Sequence, residues 1–549
     1  MPTITINGKV CDFDKGQTIL QVALDHDIEI PHYCYHPGLS IPANCRICLA
    51  EVWAPNPRND NALEPIPKLL PTCQSQAAEG QVVYTNTPKA IANQKAVMEF
   101  LLINHPVDCA VCDQAGECYL QDYSYQYGRG ASRFREAKNK QPKKDLGPHV
   151  LLYSDRCIMC TRCVRFTREV TGTGELLVEG RGAKEQIDVF PGMALDNELS
   201  ANVIDLCPVG ALLDKDFLFA QRVWFLKQTP SIDPLTSSGD NVFIEHNEGR
   251  IYRLKPRTNP KVNTWWITDE VRYGWKFVHD EARLRMPIVR GHDPFDASRA
   301  AEAYEQAYAR ALEGLTDAAK RGRLAAMLSP MLSCEDAWLL ANLIRSLDPE
   351  AILGVGPVPV QGEDKTFPGG FTVRAEKAPN ARGVRRVLGA LGSTVHEWDD
   401  FRTAVEKASA TGVLLSGNYP SDWVTDDAVE LVKNRFFVQI DTLANRLTNA
   451  ADVVLPGATW AEKAGVFENV NNVLQAFERA IDPIDFCKSE AQLAIDLAAR
   501  LDGKQPRMYN PAETRREMAS VDGLAEFADE VSTSTVKVRV ESDMQMVDL

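Results

Sequence analysis

Eleven of the chain's fourteen cysteines lie between Cys34 and Cys207, where one histidine joins them in three groups. No other feature restricts the fold so sharply, because the backbone must loop until thiols distant in sequence face a common centre. The first group, Cys34, Cys45, Cys48 and Cys73, has the spacing C-x10-C-x2-C-x24-C, which suits a [2Fe–2S] rhomb whose irons each take two protein sulfurs. The second, His105, Cys109, Cys112 and Cys118, is compact enough to wrap one cubane, with an imidazole replacing one thiolate in a histidine-ligated [4Fe–4S] centre. The third is the triplet Cys157, Cys160 and Cys163, completed by a remote Cys207-Pro208, as in bacterial ferredoxins but with a longer final gap.

Zinc is the competing occupant. Four cysteines, or three with a histidine, are ordinary structural zinc ligands, so the first two groups admit a zinc reading and with it a structural zinc scaffold. The triplet is poor zinc geometry, since three ligands within seven residues crowd a tetrahedron. Disulfides need an oxidising compartment. The start MPTITINGKV resembles neither a secretory signal nor an Arg-rich transit peptide, so the thiols are expected to stay reduced. Three adjacent sets reinforce one another as iron–sulfur centres, and the combination implies electron conduction.

The 549 residues, 44% hydrophobic and 25% charged, describe a soluble protein of several domains, each able to bury a core. No run of eighteen apolar residues is present, so membrane contact is expected only through partners. A net charge of −15 argues against nucleic-acid binding. Arg156, Arg162 and Arg165 interleave with the triplet, where their charge would favour the reduced form of an anionic cluster, ordinary surface solvation being the plain alternative. The basic run from Tyr127 to Lys144 reads as a solvated loop.

Residues 3–6 alternate like a half-buried strand, Asn7-Gly8 supplies a tight turn, and Lys9 to Phe13 return as the partner. Thr18 precedes a short amphipathic helix from Ile19 to Leu24, and Val82–Tyr84 reads as a later strand. These are the parts of a β-grasp ferredoxin, in which Ala54 to Pro71 would be a loop insertion. Residues 88–104 read as a helix with Val97, Phe100, Leu101 and Leu102 on its apolar face, ending at His105-Pro106.

The order of the three groups, with the segments CIMCTRCVRF and VIDLCPVGAL, resembles the large iron–sulfur subunits of respiratory complex I, the G-type subunits of NADH–quinone oxidoreductase. The resemblance covers the first 220 residues. It implies that Cys34, Cys45, Cys48 and Cys73 hold a [2Fe–2S] cluster, His105, Cys109, Cys112 and Cys118 one [4Fe–4S] cluster, and Cys157, Cys160, Cys163 and Cys207 another. It further implies a subunit of a proton-translocating NADH:quinone oxidoreductase that itself carries no NADH, flavin or quinone site and no catalytic acid or base. Its partners would be a flavin- and NADH-binding subunit and other peripheral-arm iron–sulfur subunits, on the cytoplasmic side of a bacterial inner membrane. Electrons are expected to enter the His105 cubane and pass to the Cys157/Cys207 cubane, with the [2Fe–2S] centre on that route or beside it.

Some members of the family carry a further cluster with C-x2-C-x3-C-x27-C spacing. Here those positions are Asp233, Thr236, Asp240 and Thr268, hard or neutral oxygen donors that suit an iron–sulfur cube poorly. That domain is expected to keep its fold, including a hairpin around His246–Arg250, without its cluster. From about residue 280 helices alternate with short apolar strands, which indicates α/β. Ala451–Pro456, with Glu462, Gly465 and Asn469, resembles the molybdopterin oxidoreductases, but no cysteine is evident to ligate molybdenum, so no molybdopterin is expected. Cys11, Cys334 and Cys487 read as packed small side chains. Gly354-Val355-Gly356-Pro357 and Gly172-Thr173-Gly174 read as turns rather than phosphate loops.

The expected fold is therefore multidomain, α/β and α+β. It comprises a β-grasp [2Fe–2S] ferredoxin over 1–86, a histidine-ligated [4Fe–4S] module over 87–145 and a ferredoxin-like [4Fe–4S] module over 146–222. A clusterless module over 223–280 and a degenerate molybdopterin-oxidoreductase-like region over 281–549 follow. The diaphorase subunit of a soluble NAD-linked hydrogenase is the rival with shared clusters, and the long C-terminal region speaks against it. A catalytic [FeFe]-hydrogenase or a molybdenum formate dehydrogenase would need further cysteines, and only Cys334 and Cys487 lie beyond Cys207.

Overall fold

A computed structural model describes residues 1–292, 297–392 and 394–528. Residues 529–549, the end of the region expected over 281–549, lie outside the described residues. The chain forms two compact units, one of residues 1–226 with 367–371, the other beginning at Lys227.

The first unit opens with strands β1 (Thr3–Ile6) and β2 (Lys9–Asp12), antiparallel around the Asn7-Gly8 turn, where both residues have positive φ. Helix α1 (Ile19–Asp25) starts where sequence places it. Thr18 accepts the Gln21 N–H while the Gln21 side chain returns to the Thr18 N–H, a capping box that contributes about 1 kcal/mol. Strands β3 (Leu49–Asn56), β4 (Ala62–Pro65), β5 (Leu70–Pro71) and β6 (Val82–Tyr84) complete the sheet, in the order β2-β1-β6-β3-β4 with β5 beside β3. Segment 54–71 is thus a paired hairpin rather than an unstructured insertion, since Trp53 to Asn56 register with Ala62 to Pro65. Ile4, Ile6, Ile19, Leu20, Val52 and Val83 form the core beneath α1.

Helix α2 (Pro88–Ile103) is capped by Thr87 and has proline at its first turn. Its buried face is Ala90, Gln94 and Met98, not the Val97–Phe100 stripe expected from sequence; Phe100 is 73% exposed. Helix α3 (Tyr119–Tyr127) follows Cys118. Strands β7 (Lys143–Asp145), β8 (Val150–Tyr153) and β11 (Leu212–Asp214) make a three-stranded antiparallel sheet, and β9 (Leu176–Glu179) pairs with β10 (Gln186–Val189). Helices α4 (Arg162–Arg165) and α5 (Asn202–Leu206) are single turns that carry the third cysteine group.

The second unit contains the antiparallel sheet Lys227–Ile232, Asn241–Asn247 and Arg250–Pro256. It also contains a six-stranded sheet in the order Ile288–Val289, Val453–Pro456, Phe436–Asp441, Gly412–Ser416, Leu324–Leu328 and Ile352–Val355. All but the first of these strands run parallel to their neighbours, and fully buried apolar runs such as Leu324–Leu328 match the buried strands of an α/β sheet. Ser333 and Asp336 form the capping box expected before Cys334–Leu347. Gly354 lies within a strand rather than a turn, its α-carbon against the Phe401 ring.

Candidate metal centres

The loop between α1 and β3 brings the first group together. Left-handed backbone at Ala43 and Arg46 wraps it around Cys45, and Cys73 returns after β5. The Cys34 sulfur takes hydrogen bonds from Cys45 and Cys73, which hold its thiol far below the usual range. Cys73 also donates to Cys48, which is lowered to about 7. The donors Cys45 and Cys73 are pushed upward, first by these sulfur contacts and then by burial. The four sulfurs thus lie within hydrogen-bonding reach of one another in one nest. A cationic di-iron core would replace the thiol protons, and the donor set fits it.

The second group is spread over α2, a short 3₁₀ turn (Cys109–Val111) and the start of α3. Val107 turns the chain through positive φ directly after His105-Pro106. Burial lowers His105 to about 4, so its imidazole is neutral. Its Nδ1 accepts the Val107 N–H at 3.0 Å. Binding iron through either ring nitrogen requires that bond to be released, because ligation at Nδ1 uses the same lone pair and ligation at Nε2 puts the proton on Nδ1. Cys118 is pushed up to about 12 by burial while receiving the Gln121 and Leu120 N–H groups, and Cys112 is raised by burial against the pull of Arg156.

Cys157, Cys160, Cys163 and Cys207 line one small cavity walled by Leu152, Ile187, Val209 and Leu212. Met159 and Thr161, both at positive φ, bend the triplet around it. Backbone N–H groups point at the sulfurs: Met159 to Cys157, Arg162 to Cys160, Val164 to Cys163, and Val209, Ala211 and Leu212 to Cys207. Burial nevertheless raises all four thiols, Cys160 to about 11. An amide cage built for thiolates, in a site that resists ionising them, fits a cationic iron–sulfide core that would replace the thiol protons.

The three arginines of the triplet are buried rather than solvated. Arg156, 2% exposed, donates to Asp108 at 3.0 and 2.5 Å and lies 4.1 Å from the Tyr153 ring centre. Arg162 donates to the carbonyls of Tyr35 at 2.6 Å and Leu206 at 3.4 Å. Arg165 donates to the Cys34 carbonyl at 2.6 Å, the Cys160 carbonyl at 3.4 Å and the Ser40 carbonyl. Gly210 is close-packed against Cys112, whose sulfur occupies the space a Cβ would need. The third group therefore touches both others, while the first and second also meet through Tyr33 and Tyr123, whose rings cross at 5.2 Å. The spacing rules singled out the ligand sets but not these links. The basic run is only partly a free loop: Lys138 donates to the His105 carbonyl at 2.5 Å and Arg133 pairs with Glu99.

The remaining cysteines stand apart. Cys11 lies in the β-grasp core, Cys334 faces Asn380 at 3.6 Å, and Cys487 donates to the Leu284 carbonyl at 3.0 Å. Asp233, buried, accepts the N–H groups of Leu235 at 2.7 Å and Thr236 at 3.2 Å and the Ser238 hydroxyl at 3.1 Å. Burial pushes Asp233 up to about 6 and Asp240 well above its usual range. Thr268 caps the short helix Asp269–Tyr273, its side chain accepting the Val271 N–H.

Five family models match the chain. They are a 2Fe-2S iron-sulfur cluster binding domain (1–88), an NADH-ubiquinone oxidoreductase-G iron-sulfur binding region (94–133) and an NADH-quinone oxidoreductase subunit 3 ferredoxin-like domain (147–213). An NDSU1/NuoG-like 4Fe-4S domain (226–276) and molybdopterin oxidoreductase (400–500) follow. The NADH-ubiquinone oxidoreductase 75 kDa subunit of Reclinomonas americana is 37% identical over 66% of this chain and 50% of its own. The G-type subunit of NADH-quinone oxidoreductase from Rickettsia felis is 35% identical over 63% and 49%. The corresponding subunit of Rickettsia conorii is 35% identical over 96% of this chain and 92% of its own. The chain spans about half the length of the first two relatives. A solved NAD+-reducing [NiFe]-hydrogenase is 28% identical over 40% of this chain and 91% of its own, with a TM-score of 0.35, too low to carry an argument.

Proposed function

The chain belongs to the family of large, G-type iron–sulfur subunits of NADH–quinone oxidoreductase, and on that premise we propose that it is an electron-transfer iron–sulfur subunit of respiratory complex I. It would relay electrons from a flavin- and NADH-binding partner toward quinone. The observation that carries the reading is the conjunction of three thiol-rich loops in one unit, each matched by an iron–sulfur family model and each linked to another by buried contacts. When bound, the clusters supply one-electron conduction; the chain supplies ligands, water exclusion and fixed charge.

The ligand sets are Cys34, Cys45, Cys48 and Cys73 for one [2Fe–2S] cluster, His105, Cys109, Cys112 and Cys118 for one [4Fe–4S] cluster, and Cys157, Cys160, Cys163 and Cys207 for a second. The modules span 1–86, 87–145, 146–222, 223–280 and 281–549. The position of the Cys157 set, hydrogen-bonded through Arg165 to the first group and through Arg156 to the second, supports a route in which it is the middle station. That differs from the sequence expectation, which ran from His105 through Cys157/Cys207 and left the place of the [2Fe–2S] centre open. Spacing along a chain contains no distances between centres.

The oxygen donors at Asp233, Thr236, Asp240 and Thr268 support a clusterless module, and the absence of an evident cysteine ligand supports a C-terminal region without molybdopterin. Among the described residues no helix is long and apolar enough to cross a membrane. By the family reading, the chain would join the peripheral arm through partner subunits, on the cytoplasmic side of a bacterial inner membrane.

Metal and acid-labile sulfide analysis of anaerobically purified chain tests the reading, together with low-temperature electron paramagnetic resonance after dithionite reduction. About ten irons per chain, no molybdenum, and one binuclear and two cubane signals are expected. Stoichiometric zinc with little iron would overturn it.

A further inference from the structure

Arg165 donates to ligand loops of two different cysteine groups. Its NH2 nitrogen donates to the Cys34 carbonyl at 2.6 Å and to the Cys160 carbonyl at 3.4 Å, and NH1 donates to the Ser40 carbonyl. It is buried. Glu169 in turn accepts the Ser40 N–H at 2.8 Å and the Ser40 hydroxyl, fixing the loop that Arg165 grips. Asn44 adds a second strap, donating to the Met159 carbonyl at 3.3 Å. Burying a guanidinium is costly, and here it spends its hydrogen bonds on neutral carbonyls rather than on a paired carboxylate. The guanidinium therefore lies between the loops that carry Cys34 and Cys160.

We infer that Arg165 is a shared electrostatic bridge between the [2Fe–2S] and Cys157/Cys207 centres. One charge favours the reduced state of both, and one planar fork fixes the separation of their ligand loops. The inference rests on the ligand assignment above. Adding an electron to either centre increases its negative charge, which a nearby cation in a low-dielectric site stabilises. Because the same cation serves both, its removal must act on both. The His105 set faces a different guanidinium, Arg156, through Asp108 and Cys112, and is an internal control.

The test is an electron paramagnetic resonance redox titration of the full chain with its clusters assembled, wild type against Arg165→Gln. Both the [2Fe–2S] and the all-cysteine cubane midpoint potentials are expected to fall, while that of the His105 cubane stays in place. Loaded clusters with unmoved potentials, or a shift in only one of the two, would overturn the bridge and leave the ligand assignment standing. Missing iron in wild type would instead defeat the assignment. Should Arg165→Gln fail to load, Arg165→Lys decides. An ammonium keeps the charge without the planar fork, so both potentials should stay near their wild-type values; a fall in either as large as removal of the charge would produce would overturn the inference.

Discussion

Arg156 and Asp108 form a two-pronged ion pair, at 3.0 and 2.5 Å, that ties the segment between His105 and Cys109 to the residue preceding Cys157. The guanidinium is almost wholly buried, whereas the carboxylate is 32% exposed. Asp108→Asn would leave a buried charge without its partner, at a cost of about 2–3 kcal/mol. Burial presses the Asp108 carboxyl upward, but hydrogen bonds and charge from Arg156 overcome it and hold it below the usual range. A depressed carboxylate contributes stability above its unfolded pKa of about 3.9 and loses it as pH falls through the lower folded value. Thermal unfolding should therefore separate wild type from Asp108→Asn at neutral pH, and the two curves should converge in strong acid.

Gly210→Ala places a methyl group where the Cys112 sulfur now lies. The His105 set should lose its resonance signal or have it strongly altered, while the [2Fe–2S] signal persists. Equal survival of all three signals would show that the loop can yield.

His105→Cys should keep a cubane while lowering its potential, because an anionic thiolate replaces a neutral imidazole. A redox titration reads this directly, and an unchanged or higher value would count against His105 as a ligand. Cys11→Ser, Cys334→Ser and Cys487→Ser should leave every cluster spectrum intact.

In the second unit Lys463 is buried between Asp336, at 2.9 Å, and Glu490. Burial pushes Glu490 up to about 7, with Lys463 acting in the opposite direction. A raised carboxyl contributes stability that is full below its unfolded pKa of about 4.3 and is lost as pH rises through the folded value. The unfolding temperature of this unit should therefore decline between about pH 4 and pH 7, and Glu490→Gln should flatten that slope. Lys463→Met, which strands two buried carboxylates, should cost about 3–5 kcal/mol in denaturant unfolding at neutral pH.

The Asn7-Gly8 turn and the caps at Thr18 and Ser333 were legible because each is a local rule, fixed by residues a few positions apart. The face of α2 was not. Val97, Phe100 and Leu101 are apolar, but what lies against the helix decides which side is covered, and Gln94 is buried because its amide donates to the Thr85 carbonyl. The arginines were left between two readings for the same reason. Arg162 and Arg165 are buried by carbonyl acceptors at Tyr35, Cys34 and Ser40, more than a hundred residues away, which no local pattern announces. The hairpin within 54–71 was hidden by its proline and asparagine content, which reads as irregular although β3 supplies a partner strand.

The grip of Arg165 on carbonyls from two ligand loops bears on how such a protein matures. Neither loop has its full set of contacts until the other is in place, so a cell that loads iron into one site first must do so on an unfinished scaffold. Biogenesis of the two proposed centres would then be a concerted event, and a failure of iron supply would surface as chains lacking both rather than as a mixture of half-filled ones.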